Sequence, residues 1–475
     1  MSAVADSTRR DLLVVGGGAG GLVTASVASQ LGLAVTLIER GERLGGDCLH
    51  HGCVPSKALL RSAAVADLMR RAADFGLPAG EPRVDLGAVM GHVREVIEQI
   101  QQHDDPERFR GYGCQVLFGE ARFTGPRRLA VDGREITARR VVIATGSRPA
   151  VPAIPGLEAA GYWTTDSVFS MPALPRRLAV LGAGPSGLEL AQAFARLGSQ
   201  VHLVELAPRL LAGEEEDVVQ ELQAALAEDG VRVHAGVRVL RVHAGKALRL
   251  ELESGPPLDC DAILVTTGRR PNVEQLDLEA AGVRVTDAGI RVDRRLRTSV
   301  HGVYACGDVT GVRPLTHMAE YQAGVVLANA VFRLPSRADY RVVPYVVYTD
   351  PELARVGIDA AQAATRGLRV QVMEFPFGEV DRALIDGRAR GLVRLVVRRG
   401  RLLGATVLGP HGGELVHELA LAMQARVPVA KIAATIHAYP TLAQVHRRAV
   451  NAARAPRLYG SGARRLVKWI NRLLP

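Results

Sequence analysis

Two cysteines stand five positions apart in GGDCLHHGCVPSKAL, Gly45 to Leu59, at a point where a helix is about to begin. In a regular α-helix such positions lie about 8.7 Å apart at Cα, whereas a disulfide wants less than about 7 Å. A bridge between Cys48 and Cys53 is therefore expected to be distorted. Gly52 permits an unusual backbone angle, and Pro55 has no N–H to give to a regular turn, so the sequence supplies the means for that distortion. Strained bridges are easily reduced, which points to dithiol redox work. The competing chemistry is a zinc half-site using His50 or His51, but no second CxxC-like pair completes four ligands.

Around this pair the chain carries elements that handle dinucleotides. DLLVVGGGAGGLVTASVASQLGLAVTLIER, Asp11 to Arg40, reads as strand, glycine turn, helix, strand, with Gly16, Gly18 and Gly21 in a GxGxxG pattern and Glu39, then Arg40, closing the second strand. Glycines let the backbone approach a pyrophosphate at the helix N-terminus, and the acid accepts hydrogen bonds from ribose hydroxyls. The device recurs in RLAVLGAGPSGLELAQAFARLGSQVHLVEL, Arg177 to Leu206, with Gly182, Gly184, Gly187 and Glu205 at the same spacing. Glycine turns that merely pack without ligand are the alternative, and two copies in register weigh against it. Two dinucleotide sites and a redox cysteine pair make a relay of three stations.

On these motifs the chain resembles the class I pyridine nucleotide-disulfide oxidoreductases, the family of lipoamide dehydrogenase, glutathione reductase and mercuric reductase, over about residues 10 to 455. The resemblance implies an α/β fold: two Rossmann-like dinucleotide-binding domains plus a C-terminal α+β dimerisation domain. It implies FAD in the first site, a nicotinamide dinucleotide in the second, and a homodimer. The family pattern GGxCxNxGCxPSK matches Gly45 through Lys57, Gly46 included, except that His50 stands at the asparagine. By that resemblance Cys53 is the thiol beside the flavin, its pKa lowered by the helix N-terminus, and Cys48 is the interchange thiol that meets substrate. Lys57 resembles the lysine near flavin N5 and pairs with Glu189 of the second glycine motif. VVIATGSRP, with Gly146, and VTTGRRPN, with Gly268, resemble the segments where the chain crosses beside the cofactors. VYACGDVTG resembles the second flavin motif, with Asp308 on the ribityl chain, and His317 follows where the family closes over the flavin through its backbone.

The pattern fails near the C-terminus. In lipoamide dehydrogenase and glutathione reductase an HPT histidine, held by a glutamate five residues later, reaches into the partner's active site as general base. Here IHAYPTLAQVHRRAV puts Tyr439 at the histidine and Gln444 at the glutamate. A phenol with pKa near 10 is a poor base at neutral pH, and Gln444 cannot take a proton as a carboxylate would. His437, two positions earlier, is a candidate backup, and His50 is either a replacement base or a tolerated polar substitution. Mercuric reductase also carries a tyrosine at the histidine position, and a soft metal ion held by thiolates takes electrons without prior deprotonation of a thiol. YTDPELARVG, Tyr348 to Gly357, resembles that branch. No cysteine follows Cys306, and the first nucleotide fold begins by Asp11, so the metal-delivery segments of mercuric reductases are expected to be missing.

The expected activity is passage of electrons from NADH through FAD and Cys48–Cys53 to a small disulfide or thiol-bound metal ion. Open alternatives are a dihydrolipoyl dehydrogenase acting on a lipoyl group, a non-turnover flavoprotein or redox sensor, and a flavoprotein delivering electrons to a membrane quinone. Glu205 favours NADH over NADPH because a carboxylate repels a 2′-phosphate, with Arg209 close enough to oppose it.

The expected division is residues 1–150 and 276–340 for the flavin domain, 151–275 for the nicotinamide domain, 341–457 for dimerisation and 458–475 for a basic tail. Ser147 to Trp163, rich in proline and glycine, reads as the first linker. In the dimerisation part GLVRLVVRRGRLLGATVLG reads as a hairpin and ELVHELALAMQARV as a helix. Hydrophobic residues at 48% and charged residues at 23% of 475 mark an ordinary globular chain, and no run of 18 apolar residues spans a membrane. TRRDLLVV superficially resembles a twin-arginine signal, but its apolar run is only Leu12 to Val15 and leads straight into glycines, so it reads as a first strand. Cys114, Cys260 and Cys306 are scattered singly, as buried thiols in a reducing cytoplasm are. The net charge is +10, yet no zinc-finger, homeodomain or aromatic RNA-binding signature accompanies it, which argues against nucleic acid. In the tail, Leu466, Ile470 and Leu473 share a helical face with Trp469 beside them, and Arg464, Arg465, Lys468 and Arg472 supply charge. That segment either rests on an anionic membrane surface, packs on its own protein, or frays.

Overall fold

The computed structural model describes residues 9–245 and 247–473. Arg10–Val15, the apolar run ahead of the first glycines, is a parallel strand flanked on one side by Val35–Glu39 and on the other by Arg134–Ile143. Neighbours on both edges, with layers on both faces, leave Leu13 and Val14 fully buried, which is why this strand reads as continuous apolar sequence. Gln115–Phe118 extends the sheet beyond Val35–Glu39. Val303–Ala305, from far along the chain, pairs in parallel with Arg134–Ile143 and brings the Asp308 motif back to the first glycine loop.

A second parallel sheet runs in the order Val231–Ala235, Gln200–Glu205, Arg177–Leu181, Ala262–Val265, Trp163–Thr164. The expected linker crosses between the two sheets as Ser147–Pro149, which pairs antiparallel with Arg269–Pro271. The third sheet is antiparallel: Pro344–Val347, Glu352–Gly357, Arg401–Gly409, Leu392–Arg398, Gln371–Pro376. Its central hairpin and the helix Gly412–Gln424 that covers it lie where alternation and helical spacing put them.

The helix Cys53–Arg70, rich in alanine and leucine, packs along the helix Pro185–Leu197 of the second nucleotide unit. Leu59 and Ala63 meet Leu188, Ala191 and Phe194 in one core, which Val347 and Leu353 of the antiparallel sheet complete. Three units thus close around one point, and the side chains above that core belong to the dithiol region.

Candidate functional site

Each glycine loop is forced by contact as well as by conformation. Gly16 has φ +107° and Gly182 φ +102°; a Cβ on Gly16 would lie 2.3 Å from the Ala144 carbonyl oxygen, and one on Gly182 would lie 2.7 Å from that of Thr266. Gly21 and Gly187 lie so close to the first glycine of their own loops that Cβ atoms would stand 1.8 and 2.0 Å from the carbonyl oxygens of Gly16 and Gly182. The loops lead into the helices Ala19–Gln30 and Pro185–Leu197, whose free N–H groups face the open side. Glu39 accepts from the Gly17 and Gly41 N–H groups at 2.6 and 2.7 Å, and Glu205 accepts from Ala183 and Ala207 at 2.6 and 2.8 Å. The two copies use one architecture down to the carboxylate.

From the first loop a cleft runs toward the cysteines. Its outer part, about 270 Å³, is lined by Gly16, Ile38, Glu39, Arg40, Gly119, Thr145 and Leu276. The inner part, about 560 Å³, continues past Gly18, Gly46 and Gly146 to Cys48, Asp308 and Thr316. An elongated cleft with a carboxylate and an apolar wall at one end, helix N–H groups in the middle and a thiol at the other fits FAD. In such a fit Glu39 could hold the ribose, the Gly16–Gly21 loop the pyrophosphate and Asp308 the ribityl chain. At the bend, a Cβ on Gly46 would lie 2.6 Å from Gly18 Cα, so the phosphate loop and the dithiol loop are in direct contact. Asp308 accepts from Ser147 Oγ at 2.7 Å, and Arg269 donates to the same hydroxyl at 2.7 Å while pairing with Asp47 at 3.1 Å. One polar chain therefore runs from the flavin aspartate to the residue beside Cys48.

The cysteines do not share a regular helix. Cys48 lies in the short helix Gly46–His50 and Cys53 opens the next, Cys53–Arg70, with His51 and Gly52 between them. Neither Gly52 nor Pro55 plays the expected part. Gly52 has φ −111°, and what requires glycine is the approach of Asp47, whose carbonyl oxygen would lie 3.2 Å from a Cβ. The left-handed turn comes earlier, at Gly45 and Gly46. Pro55 sits in the first helical turn, where its N–H would lack an intrahelical partner in any case, and Ser56 N–H makes the first helical bond, to Gly52.

Both cysteines are free thiols. The Cys53 pKa is lowered to about 6, first by a hydrogen bond from Cys48, then by Thr316 and the Lys57 charge, against burial. Cys48 moves the other way: it donates to Cys53, and burial and the neighbouring negative sulfur raise its pKa. The two thiols titrate as a pair, with Cys53 the more readily ionised. Thr316 Oγ1 lies 3.2 Å from Cys53 Sγ. Lys57 Nζ donates to Glu189 at 2.7 Å and stands 4.4 Å over the Tyr348 ring, and the other Glu189 oxygen accepts from the Tyr348 N–H at 2.9 Å. Thr316 and Tyr348 were not identified as site residues from the sequence, although Tyr348 opens the segment YTDPELARVG and Thr316 adjoins His317.

Other sequence-selected residues are held away from the thiols or on its rim. His50 Nε2 is 2.9 Å from the Leu44 carbonyl, a contact within its own loop. His317, at the start of the helix Thr316–Ala330, places Nε2 2.9 Å from the Pro344 carbonyl. Gly146 and Gly268 have φ +68° and +129°, and their carbonyls accept from Asn272 and Ala150, fixing the crossing strands. His437 is half-buried, its Nε2 3.1 Å from Glu418 and its Nδ1 3.1 Å from the Thr435 carbonyl; the same glutamate holds the fully buried His446 at 2.8 Å. With both ring nitrogens engaged, His437 is not a free base. Gln444 donates to the Ala438 carbonyl at 3.1 Å. Tyr439 is 70% exposed and does not line the cleft of its own chain; Asp381 beside it raises its pKa, leaving even less phenolate to act as a base at neutral pH. Its neighbour Ile436 is 94% exposed, as befits a face covered by a second copy. Cys114, Cys260 and Cys306 are buried, and burial pushes Cys260 and Cys306 up to about 12.

Comparison with known proteins bears on this arrangement. Residues 10–323 match the family model described as pyridine nucleotide-disulphide oxidoreductase, and residues 343–450 match its dimerisation domain. A mercuric reductase of Staphylococcus aureus is 33% identical over 91% of this chain and 80% of its own length. A dihydrolipoyl dehydrogenase of Thermus scotoductus is 38% identical over 91% of this chain and 95% of its own. Among solved structures, the Cu(II) complex of the HOCl-induced flavoprotein disulfide reductase RclA from Escherichia coli superposes with a TM-score of 0.85 at 27% identity, covering 93% of this chain and 99% of that one.

Proposed function

Because the chain belongs to the class I pyridine nucleotide-disulfide oxidoreductases, FAD-dependent enzymes that use NAD(P)H, we propose that it carries electrons from NADH to a thiol-bound metal ion or small disulfide through Cys53 and Cys48, in the manner of mercuric reductase. The dimerisation domain supports a homodimer. FAD in the cleft supplies a two-electron link between nicotinamide and the dithiol. Gly182, Gly184 and Gly187 would hold the nicotinamide dinucleotide, with Glu205 toward its ribose. The preference for NADH rests on that carboxylate and on Arg209, whose guanidinium is committed to the Glu214 and Ala212 carbonyls at 2.9 and 2.6 Å. In our reading the division into residues 1–150 with 276–340, 151–275 and 341–457 follows these roles.

The observation that carries the proposal is a thiol pair set beside Thr316 and the Lys57–Glu189 pair, with Tyr439 and Gln444 where the acid–base dyad belongs. A disulfide acceptor requires Cys48 to lose its proton before its sulfur attacks; a mixed disulfide forms, Cys53 thiolate then attacks Cys48 sulfur, and the acceptor leaves as two thiols with two electrons. The proton held on Cys48 needs a base, and the chain offers Tyr439 where the dyad belongs. A soft cation instead draws both sulfurs into coordination and displaces the proton itself. The related RclA structure is a Cu(II) complex, which widens the candidate metals to copper. The 38% identity to a dihydrolipoyl dehydrogenase favours a second reading, oxidation of dihydrolipoamide by NAD⁺.

The test is an acceptor screen with NADH against Hg(II), Cu(II), lipoamide, glutathione disulfide and quinones. The proposal expects kcat/KM for a thiol-bound metal to exceed that for lipoamide. Faster turnover with dihydrolipoamide and NAD⁺ would transfer the assignment to the second reading.

A further inference from the structure

The basic charge is not spread along the chain. Residues 419–475 contain ten Lys and Arg and no acidic residue, which equals the whole formal charge of +10 and leaves 49 residues of each sign elsewhere. This segment runs past the dimerisation domain, whose match ends at residue 450, into the helix Ser461–Leu473, joined to its predecessor Gln444–Leu458 through Gly460. Of the alternatives for the tail, packing on its own chain and fraying both lose support, for Ser461–Leu473 is helical with no buried residue. Leu474 and Pro475 lie outside the described residues.

The helix is sorted by chemistry. At about 100° per residue, Trp469, Leu473, Leu466, Ile470 and Val467 fall within an arc of about 160°, and Arg464, Lys468, Arg472 and Arg465 within about 100° of the opposite side. The apolar side is open: Trp469 is 61% exposed and Leu473 58%. A nucleic acid would use the charges but leave these residues in water. A membrane interface of anionic lipid uses both, taking the apolar side to the acyl boundary and the guanidinium and ammonium groups at headgroup level. Thirteen residues at 1.5 Å each make about 20 Å, too short to cross a bilayer, and no helix among the described residues is long and apolar enough to do so.

We propose that Ser461–Leu473 is a peripheral anchor that lays the enzyme reversibly on anionic lipid bilayers. The homodimer carries two such helices, so simultaneous engagement raises avidity over that of one.

The FAD-loaded full-length dimer is floated with vesicles of phosphatidylcholine alone or with about 30% phosphatidylglycerol, where each Lys or Arg near the surface adds attraction. Flotation with the anionic vesicles only, weakening as salt is raised, is expected. Deletion of residues 461–475, and separately Ile470→Asp with Leu473→Asp, should cut partitioning at least about tenfold while flavin content and NADH oxidation stay unchanged. Of the two tryptophans, Trp163 lies in the second parallel sheet, so a blue shift of emission on adding vesicles should vanish in Trp469→Phe. Equal flotation of the deleted protein would overturn the proposal. So would binding of RNA or duplex DNA without vesicle binding, or dissociation of the deleted protein to monomers with no flotation of the intact one, which would make the helix a clamp between subunits.

Discussion

Lys57 and Glu189 lie where three packed units meet, each polar atom engaged, whereas Tyr439 lies in an exposed loop of the antiparallel unit and Gln444 opens the helix that follows, donating back to the Ala438 carbonyl of that loop. The first region keeps the family's residues and the second replaces them. Buried polar networks tolerate little change, because removing one member strands the others away from water. A side chain in an exposed loop carries no such penalty, so replacement there leaves the packed pair Lys57–Glu189 intact.

That contrast can be broken most forcefully at the sulfurs. Cys48→Ser and Cys53→Ser should each lower steady-state turnover by about 10³-fold while NADH still bleaches the flavin in stopped flow, since the thiolate is the nucleophile. Retained turnover in either variant would show that electrons leave by another route. Next in size is a gain. Tyr439→His with Gln444→Glu should raise lipoamide reduction by about 10²-fold and leave metal-ion reduction within a factor of a few, as a restored acid–base pair would. If both acceptors respond equally, the exposed loop does not discriminate between them.

Glu189→Gln should slow flavin reduction by NADH about tenfold with FAD still bound, because the Lys57 charge loses its partner and Tyr348 N–H keeps an acceptor. An unchanged rate would reduce the pair to a structural tie. The smallest effect is a pH shift. Cys53 is lowered to about 6, so its thiolate is present above that pH and is lost as pH falls through it. Alkylation of Cys53 by iodoacetamide, followed by mass spectrometry, should rise through about pH 6, and Thr316→Val should move that midpoint upward. A midpoint near 8.5, the ordinary thiol value, would contradict the paired titration.

Legibility in the sequence followed the range of the interaction. The glycine loops could be read directly because part of their cause is local: Gly21 stands against the Gly16 carbonyl of its own turn, whereas the approach of Gly16 to the Ala144 carbonyl lay beyond sequence spacing. The pairing of Lys57 with Glu189 was accessible only through resemblance, since it depends on two helices packing across 132 residues. Thr316 reaches Cys53 across 263 residues, and no pattern around LTHMAEYQAG marks a threonine for that contact. Gly52 and Pro55 were credited with distorting a helix, but the chain separates the cysteines by ending one helix and starting another. The tail's apolar face was visible in its spacing, whereas its exposure depended on the absence of a covering surface within the chain.

The contact between Gly18 and Gly46 also sets how this enzyme can diversify. A single added methyl at Gly46 would have to push the pyrophosphate cradle and the sulfur-bearing loop apart, so cofactor retention and electron exit are lost together and cannot be tuned separately. Change on the far side of the thiols carries no such coupling, and this glycine contact can stay fixed while it occurs.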